Sequence, residues 1–477
     1  MEIKEILALE DENKKITELK KRIVDPPDVT VIKKQIDPSQ HDIFDEIIRP
    51  DKNITKTLPD KTEVQDVEYV ARIALPFQQL IVNRHVAFTF ANRMKYICKP
   101  KGKEKEVFNC IKEVIKGTKL HPFNSCVARS LYTYKECAEY WYTVPKDEDE
   151  ENLYGINADR KLKVVLFTPE NGDELFPLFD DQRDLIAFSR GYVKKIDKKD
   201  INYFETWTKD TYLLWKQDGR KWIPQNVKDD IHGNVIEVGK IPIVYIRQTY
   251  SEWECVQVLI DRLEELLSNF ADANDYHAWP KIFIQGKVIG FASKGETGAI
   301  IEGSTGSTAQ YLYWPDAPDS IKLEITTLIN LIYTLTQTPD ISWESVKGLG
   351  NMSGVALELL FMDAHLKVMA KTEYWNDFMS RRMSLIKRFI SKLNTEQSFV
   401  AATKSIEIDS QIVPYIINDK KSLVDMLVAA TAGKAVVSQE AATQIADLSE
   451  DSEEDFKKIT AEEDRNSLVT ISEPTVV

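Results

Sequence analysis

Residues 319–395 read helix, glycine-bearing loop, very long helix, and this order restricts the fold more than any other stretch of the chain. Asp319-Ser320-Ile321 starts an apolar helix that runs to Gln337. Thr338-Pro339-Asp340 ends it, because proline lacks the N–H and disfavours helical backbone in the residue before it. A loop from Ile341 to Met352 carries Gly348 and Gly350, and Ser353-Gly354 then opens a helix with no breaker until about Leu393. A helix of about forty residues is roughly 60 Å long. That exceeds the span of an ordinary core, and a long spine with a loop at its head suits a part of an assembly better than a pocket enzyme.

At 477 residues the chain holds several subdomains. A hydrophobic share of 43% and an aromatic share of 10% are those of a folded protein. Cys98, Cys110, Cys126, Cys137 and Cys255 form no C-x-x-C pair, and no signal peptide is visible, so they read as reduced thiols in a cytosolic setting. The apolar run from Ile325 to Leu335 contains Thr326, Thr327, Asn330 and Thr334, and is too short and too polar to span a bilayer. The formal charge is −14. Many soluble proteins are acidic; the alternative is a surface that must not adhere to a polyanion.

Residues 1–65 are polar, with one helix expected over Ile3–Ile23 and then an extended arm punctuated by Pro38, Pro50 and Pro59. Val70, Ile73, Phe77, Leu80, Ile81, Val86 and Phe90 give a helical stripe that Pro76 should kink or divide. Helices are expected over Glu104–Lys116 and, capped by Asn124-Ser125, over Cys126–Glu136. From Ala138 to Arg247 the pattern changes to strands, at 140–144, 162–167, 186–188, 203–208, 211–215 and 243–246, with turns at Asn171-Gly172, Asp218-Gly219 and Gly233-Asn234. Residues 252–279 are an amphipathic helix whose wet side is acidic, through Glu254, Asp261, Glu264, Glu265, Asp272 and Asp275. Residues 280–318 hold short strand candidates among glycine-rich loops. After Ser405 come a short strand and three helices, at 419–430, from Ser438, and at 451–461; residues 466–477 carry no helical or core signal.

Familiar chemistries fit poorly. Gly348-x-Gly350-x-x-x-Gly354 precedes a helix, but no hydrophobic strand precedes it and no ribose-binding acid follows. Gly433-Lys434 is followed by alanine and lacks the upstream glycine of a phosphate loop. The six histidines are scattered, without H-E-x-x-H or zinc spacing, and no G-x-S-x-G elbow exists. The acidic run 147–151 reads as a solvated loop. No catalytic residue, metal site or cofactor is expected. On Gly348, Gly350 and Gly354 alone, the loop is either a tight helix–helix connection or a segment that must change shape.

Thr338-Pro339-Asp340, then Asn351-Met352-Ser353-Gly354-Val355-Ala356-Leu357, then a long helix dotted with Lys and Arg resembles the portal proteins of siphophage-type tailed bacteriophages. The likeness extends upstream to Ala71-Arg72-Ile73-Ala74 and Ile81-Val82-Asn83-Arg84, and downstream to the stretch from Gly433 to Glu440, covering roughly residues 66–465. It implies an α+β portal-type fold with a β-rich wing, a two-helix stem, a small β-containing clip, a long spine helix and a helical crown. The ranges would be an N-terminal arm at 1–65, wing 66–250, stem helices 251–279 and 319–337 around a clip at 280–318, a tunnel loop at 338–353, the spine helix of the wing at 354–400, crown 401–465 and a flexible tail 466–477.

The resemblance further implies a dodecameric ring at one capsid vertex, passing double-stranded DNA without sequence preference during packaging and ejection. Partners would be the terminase large subunit, a head–tail adaptor, the major capsid protein and scaffold, with no membrane and no enzymatic activity. The place would be the virion, and the host cytoplasm during assembly. In the tunnel loop Lys347 would meet phosphate, with Trp343, Gly348, Leu349, Gly350, Asn351 and Met352 at the constriction. Asp261, Glu264, Glu265 and Asp272 are the candidates for an acidic channel wall. Lys367, Lys371, Arg381, Arg382, Lys387, Arg388 and Lys392 on the spine either lie in solvent or pair with acids of a neighbouring subunit. The alternative is a structural adaptor of another virion assembly, without a DNA channel.

Overall fold

The computed structural model describes residues 3–57, 62–147, 153–156, 158–225, 238–278, 281–286, 288–290, 302–303, 306, 308–312, 317–341, 359, 361–394, 396–415, 420–432, 435–446, 448 and 452–471. Two compact units divide the chain, one of residues 1–339 with 364–415, the other of 340–363 with 416–477. The architecture is α+β.

The N-terminal segment is more folded than the expected arm. Helices α1 (Ile3–Leu7), α2 (Glu12–Leu19) and α3 (Val29–Ile36) lead to a hairpin of β1 (Lys52–Thr57) and β2 (Glu63–Glu68). Asp11 and Asp28 cap α2 and α3, each accepting two backbone N–H groups of the first turn. Ile6, Ile16 and Leu19 are buried with Phe204 and Trp215. Apolar residues at this helical spacing need a partner, and a sheet far along the chain supplies it.

Helix α4 (Phe77–Phe90) starts directly after Pro76, so the proline begins the helix in place of kinking it. After β3 (Lys95–Ile97) come α5 (Glu104–Gly117) and α6 (Leu120–Tyr134). The latter begins a turn earlier than its apparent cap, and Asn124 lies inside it, buried. Strands β4 (Glu136–Pro145) and β5 (Arg160–Phe167) then precede β6 (Glu174–Phe179), β7 (Leu185–Ile196), β8 (Lys199–Thr208), β9 (Tyr212–Asp218), β10 (Lys221–Pro224) and β11 (Ile243–Arg247). They form two antiparallel sheets, ordered β10-β9-β8-β7-β6 and β11-β4-β5. Tyr140, Phe167, Leu175, Phe188, Trp207 and Ile243 form the core they share. Strand β6 escapes the alternation pattern because it contains Pro177, which an edge strand tolerates.

The long helices follow. These are α7 (Gln257–Ala278), α8 (Ala317–Thr336) and α9 (Met362–Leu393). Between α7 and α8, β12 (Lys281–Gln285) pairs with β15 (Thr308–Leu312), and β13 (Val288–Gly290) with β14 (Glu302–Gly303). The 32 residues of α9 span about 48 Å. Helix α10 (Gln397–Ser405) leads to β16 (Asp409–Gln411), which pairs with β3. The second unit holds α11 (Lys420–Thr431), α12 (Gln439–Ala446) and α13 (Ser452–Ile471). Ser438 caps α12, its Oγ accepting Ala441 N–H at 3.1 Å. Helix α13 continues to Ile471, past the end expected from the sequence.

Candidate functional site

The chain from Ala71 to Leu75 runs beside α7 in matched register. Ala71 N–H donates to Asp272 Oδ1 at 2.7 Å, Ile73 N–H to Ser268 Oγ at 2.9 Å, and Leu75 N–H to Glu264 Oε1 at 2.7 Å. Four residues of helix rise about 6 Å and two extended residues about 6.6 Å, so side chains every fourth position meet alternate N–H groups. Arg49 reinforces the far end, bonding Asp272 Oδ2 at 2.6 Å, Asn269 Oδ1 at 2.8 Å and the Ala71 carbonyl at 2.9 Å. At the near end, His41 places Nδ1 2.7 Å from Glu264 Oε1 and Nε2 2.8 Å from the Gln35 carbonyl. Both ring nitrogens face acceptors, which favours the doubly protonated ring. Burial opposes this, but Glu264, the Gln35 carbonyl and Asp261 outweigh it and raise the His41 pKa.

This corrects part of the acidic-wall expectation. Glu264 is 2% exposed and Asp272 is held by Arg49, so both serve the fold of their own chain. Asp261 and Glu265 stay on the exposed side of α7. Asp261 accepts the Gln257 amide at 2.7 Å; partial burial, with Glu264 and Asp42 nearby, raises its pKa. Glu265 and Glu324 both pair with Arg262, at 3.1 and 3.0 Å, which ties α7 to α8.

A buried ionic cluster sits where α8 ends. Glu252 accepts from Lys371, from Lys367 at 3.2 Å and from His85 Nδ1 at 2.8 Å. His85 Nε2 lies 2.9 Å from Thr338 Oγ1, and Arg84 donates to the Pro339 carbonyl at 2.8 Å while stacking over Tyr333. The Thr338-Pro339 break is thus fastened to α4 through Arg84 and His85. Burial pushes the His85 pKa down to about 4, so its ring is neutral at pH 7. Burial alone would raise Glu252, but Lys371, His85 and Lys367 hold it well below the usual carboxylate range. Burial lowers Lys371 to about 8, with Lys367 adding to the shift and Glu252 opposing it.

Other cations of α9 also find partners within the chain. Arg382, 2% exposed, forks onto Glu139, with Nε 2.9 Å from Oε2, and donates to Asn124 Oδ1 at 2.7 Å. Lys387 donates to the Ile406 carbonyl at 2.6 Å and Arg388 to the Val238 carbonyl at 2.6 Å. Arg381 is exposed and pairs with Asp377 on its own helix. Arg382, Lys387 and Arg388 fasten the spine to β4 and α6, to the end of α10 and to the chain ahead of β11, a role that spacing on one helix does not reveal.

Trp343, Lys347, Gly348, Leu349, Gly350, Asn351 and Met352 lie outside the described residues, as do 148–151 of the acidic run. Among the described residues, no group of His, Cys, Asp and Glu has the geometry of a metal site, and no helix is long and apolar enough to cross a membrane.

Two solved structures align at low similarity. The neck of an empty GTA particle, computed with C6 symmetry, gives a TM-score of 0.33 at 9% identity, covering 78% of this chain and 89% of that one. The neck of a native GTA particle, computed with C12 symmetry, gives 0.32 at 11%, covering 78% and 88%. No curated protein sequence matches significantly. The family model described as phage portal protein, SPP1 Gp6-like, matches residues 16–467, nearly the whole chain. The chain therefore belongs to the SPP1 Gp6-like phage portal proteins, which form a ring-shaped DNA channel at one vertex of the capsid.

Proposed function

We propose that twelve copies close the ring and that α7 and α8 are its stem, with Asp261 and Glu265 as the acids that face the channel. The family match over residues 16–467 carries this reading. The exposure of those two carboxylates and the chain's formal charge of −14 support it, because a wall of like charge keeps DNA from adhering. Lys347 makes transient, sequence-independent phosphate contacts from the tunnel loop, with Trp343, Gly348, Leu349, Gly350, Asn351 and Met352 around it. The segment 280–318 is the clip that docks the terminase large subunit during packaging and the head–tail adaptor afterwards. Scaffold and major capsid protein take the ring into the shell, in the host cytoplasm. The protein acts by binding and conduction and catalyses no reaction, in keeping with a sequence that lacks nucleotide-binding and hydrolase motifs.

The test is DNA packaging into capsids assembled with variant chains. Glu265→Lys is expected to slow packaging with ring assembly intact, and Lys347→Ala to alter its rate or the retention of packaged DNA. Normal packaging by both variants would contradict these assignments.

A further inference from the structure

One end of the five-stranded sheet is basic, on a chain whose formal charge is −14. The β7–β8 turn brings Lys194, Lys195, Lys198 and Lys199 there, and the β9–β10 turn, at the same end, adds Lys216, Arg220 and Lys221. Against these seven cations stand three carboxylates, Asp197, Asp200 and Asp218. Asp200 is opposite Lys195 in register and Asp218 opposite Lys221, yet among the described residues none of the seven cations forms an ion pair. Exposed lysines elsewhere do pair, as Lys21 with Glu18 and Lys34 with Asp42.

The backbone at the apex disfavours the side chain it carries. Ile196 pairs with Lys199, so Asp197-Lys198 is a two-residue turn, with φ of +48° and +64°. A type I′ turn demands left-handed backbone at both positions, and glycine adopts it at the second without penalty. The β9–β10 turn uses glycine for its left-handed residue, Gly219 at φ +60°. Lys198 is exposed, so burial does not explain a lysine there. Strain held at an exposed tip points to a use outside the chain.

One face of this end carries a single acid. The register puts Lys194, Lys199, Lys216 and Lys221 on it, with Asp218. Lys194 Nζ lies 5.5 and 5.4 Å from the centroids of the stacked Tyr192 and Tyr203 rings, which hold an ammonium without neutralising it. Strand spacing puts β7 and β10 about 14 Å apart. Cations on both can reach phosphates on the two sides of a major groove about 12 Å wide.

The kind of cation selects the partner. Six of the seven are lysines. Protein interfaces favour arginine and are depleted in lysine, whereas phosphate oxygens accept lysine as a point charge. We propose that this end of the sheet binds the phosphate backbone of double-stranded DNA without sequence preference, through residues distinct from those assigned to the channel. DNA is the polyanion that the family conducts. The inference rests on that membership and does not require the ring to close.

The probe is a covalently closed duplex circle, which cannot thread a closed ring, added to the full chain. Affinity is measured against salt, and lysine acetylation with and without the circle is mapped by mass spectrometry. In Lys198→Gly/Lys199→Gln/Lys216→Gln/Lys221→Gln the slope of log K on log salt should flatten by about two to four, at about 0.9 per phosphate contact, and affinity at about 0.1 M salt should fall about tenfold or more. The circle should protect Lys195, Lys198, Lys199 and Lys221 and leave the exposed Lys105 reactive. Lys198→Gly alone should flatten the slope by about one while β7 and β8 amides exchange no faster than in the wild type, a split that a purely structural lysine would not give. No binding of the circle, or equal binding by the quadruple variant, overturns the proposal. Faster exchange in Lys198→Gly overturns the reading of the turn on which it stands. Protection of the same lysines on assembly without DNA assigns this end to an acidic surface of a neighbouring copy and overturns the assignment to DNA.

Discussion

Replacing Glu252 by Gln removes one negative charge from a site where two lysines and a histidine converge on it. At an effective dielectric of about 20, a cation 3.2 Å away attracts the carboxylate by about 5 kcal/mol, before desolvation is subtracted. Glutamine keeps the shape but leaves Lys371 buried over the Tyr132 ring with no countercharge. Breaking a buried pair in this way costs about 3–5 kcal/mol. The loss should fall on the attachment of α9, so native-state hydrogen exchange of α9 amides is the assay, avoiding the two-state assumption that a chain with two compact units does not meet. Amides around Lys371 should exchange about 10²- to 4 × 10³-fold faster, at about 1.4 kcal/mol per factor of ten. The double variant Glu252→Gln/Lys371→Met should recover at least half of the loss, because it removes the stranded cation. Acceleration below about threefold in the single variant, or no recovery in the double, would refute the claim that Glu252 anchors the spine.

Three further outcomes follow from the same contacts. His85 titrates at about 4 in the folded chain against about 6.5 unfolded, so its contribution is complete above pH 6.5 and about 3 kcal/mol is lost as the pH falls to 4, read as a drop in thermal midpoint that His85→Asn should blunt; the raised pKa of His41 acts in the opposite sense, its contribution being full below pH 6.5 and lost as the pH rises through its folded value. Asp272→Ala removes the partner of Arg49 and of the Ala71 N–H, costs about 2–3 kcal/mol locally, and should speed tryptic cleavage after Arg72; an unchanged cleavage rate would contradict the registered clamp on α7. Arg382→Lys loses the fork onto Glu139 and should cost about 3 kcal/mol locally, read as native-state hydrogen exchange about a hundredfold faster at α9 amides around position 382, more than Arg381→Lys at its exposed neighbour.

The long helices and the strands β4, β5, β7, β8 and β9 were legible because period 3.6, period 2 and turn residues are local signals. Strand β6 was not, since Pro177 argues against a strand unless the strand is known to be an edge. The α7 acids show where pattern reading stops. Their number suggested a wet acidic face, yet Glu264, Ser268 and Asp272 recur every fourth residue to match the N–H groups of Ala71, Ile73 and Leu75, some 190 positions upstream. No local property of either segment announces that match. The same holds for α9, whose basic residues look solvated until Glu252 and Glu139 are brought against Lys371 and Arg382. In this chain, family motifs such as Ile81–Arg84 and Thr338-Pro339 become intelligible only in three dimensions, where Arg84 and His85 fasten the break at the end of α8.

Single-particle imaging of the purified full chain, alone and with scaffold and capsid protein, shows whether the subunits close into a ring. Closed rings are expected, with an axial opening, lined by α7 and α8, wide enough for duplex DNA. Open filaments, or a chain that stays monomeric with those partners present, would contradict ring closure.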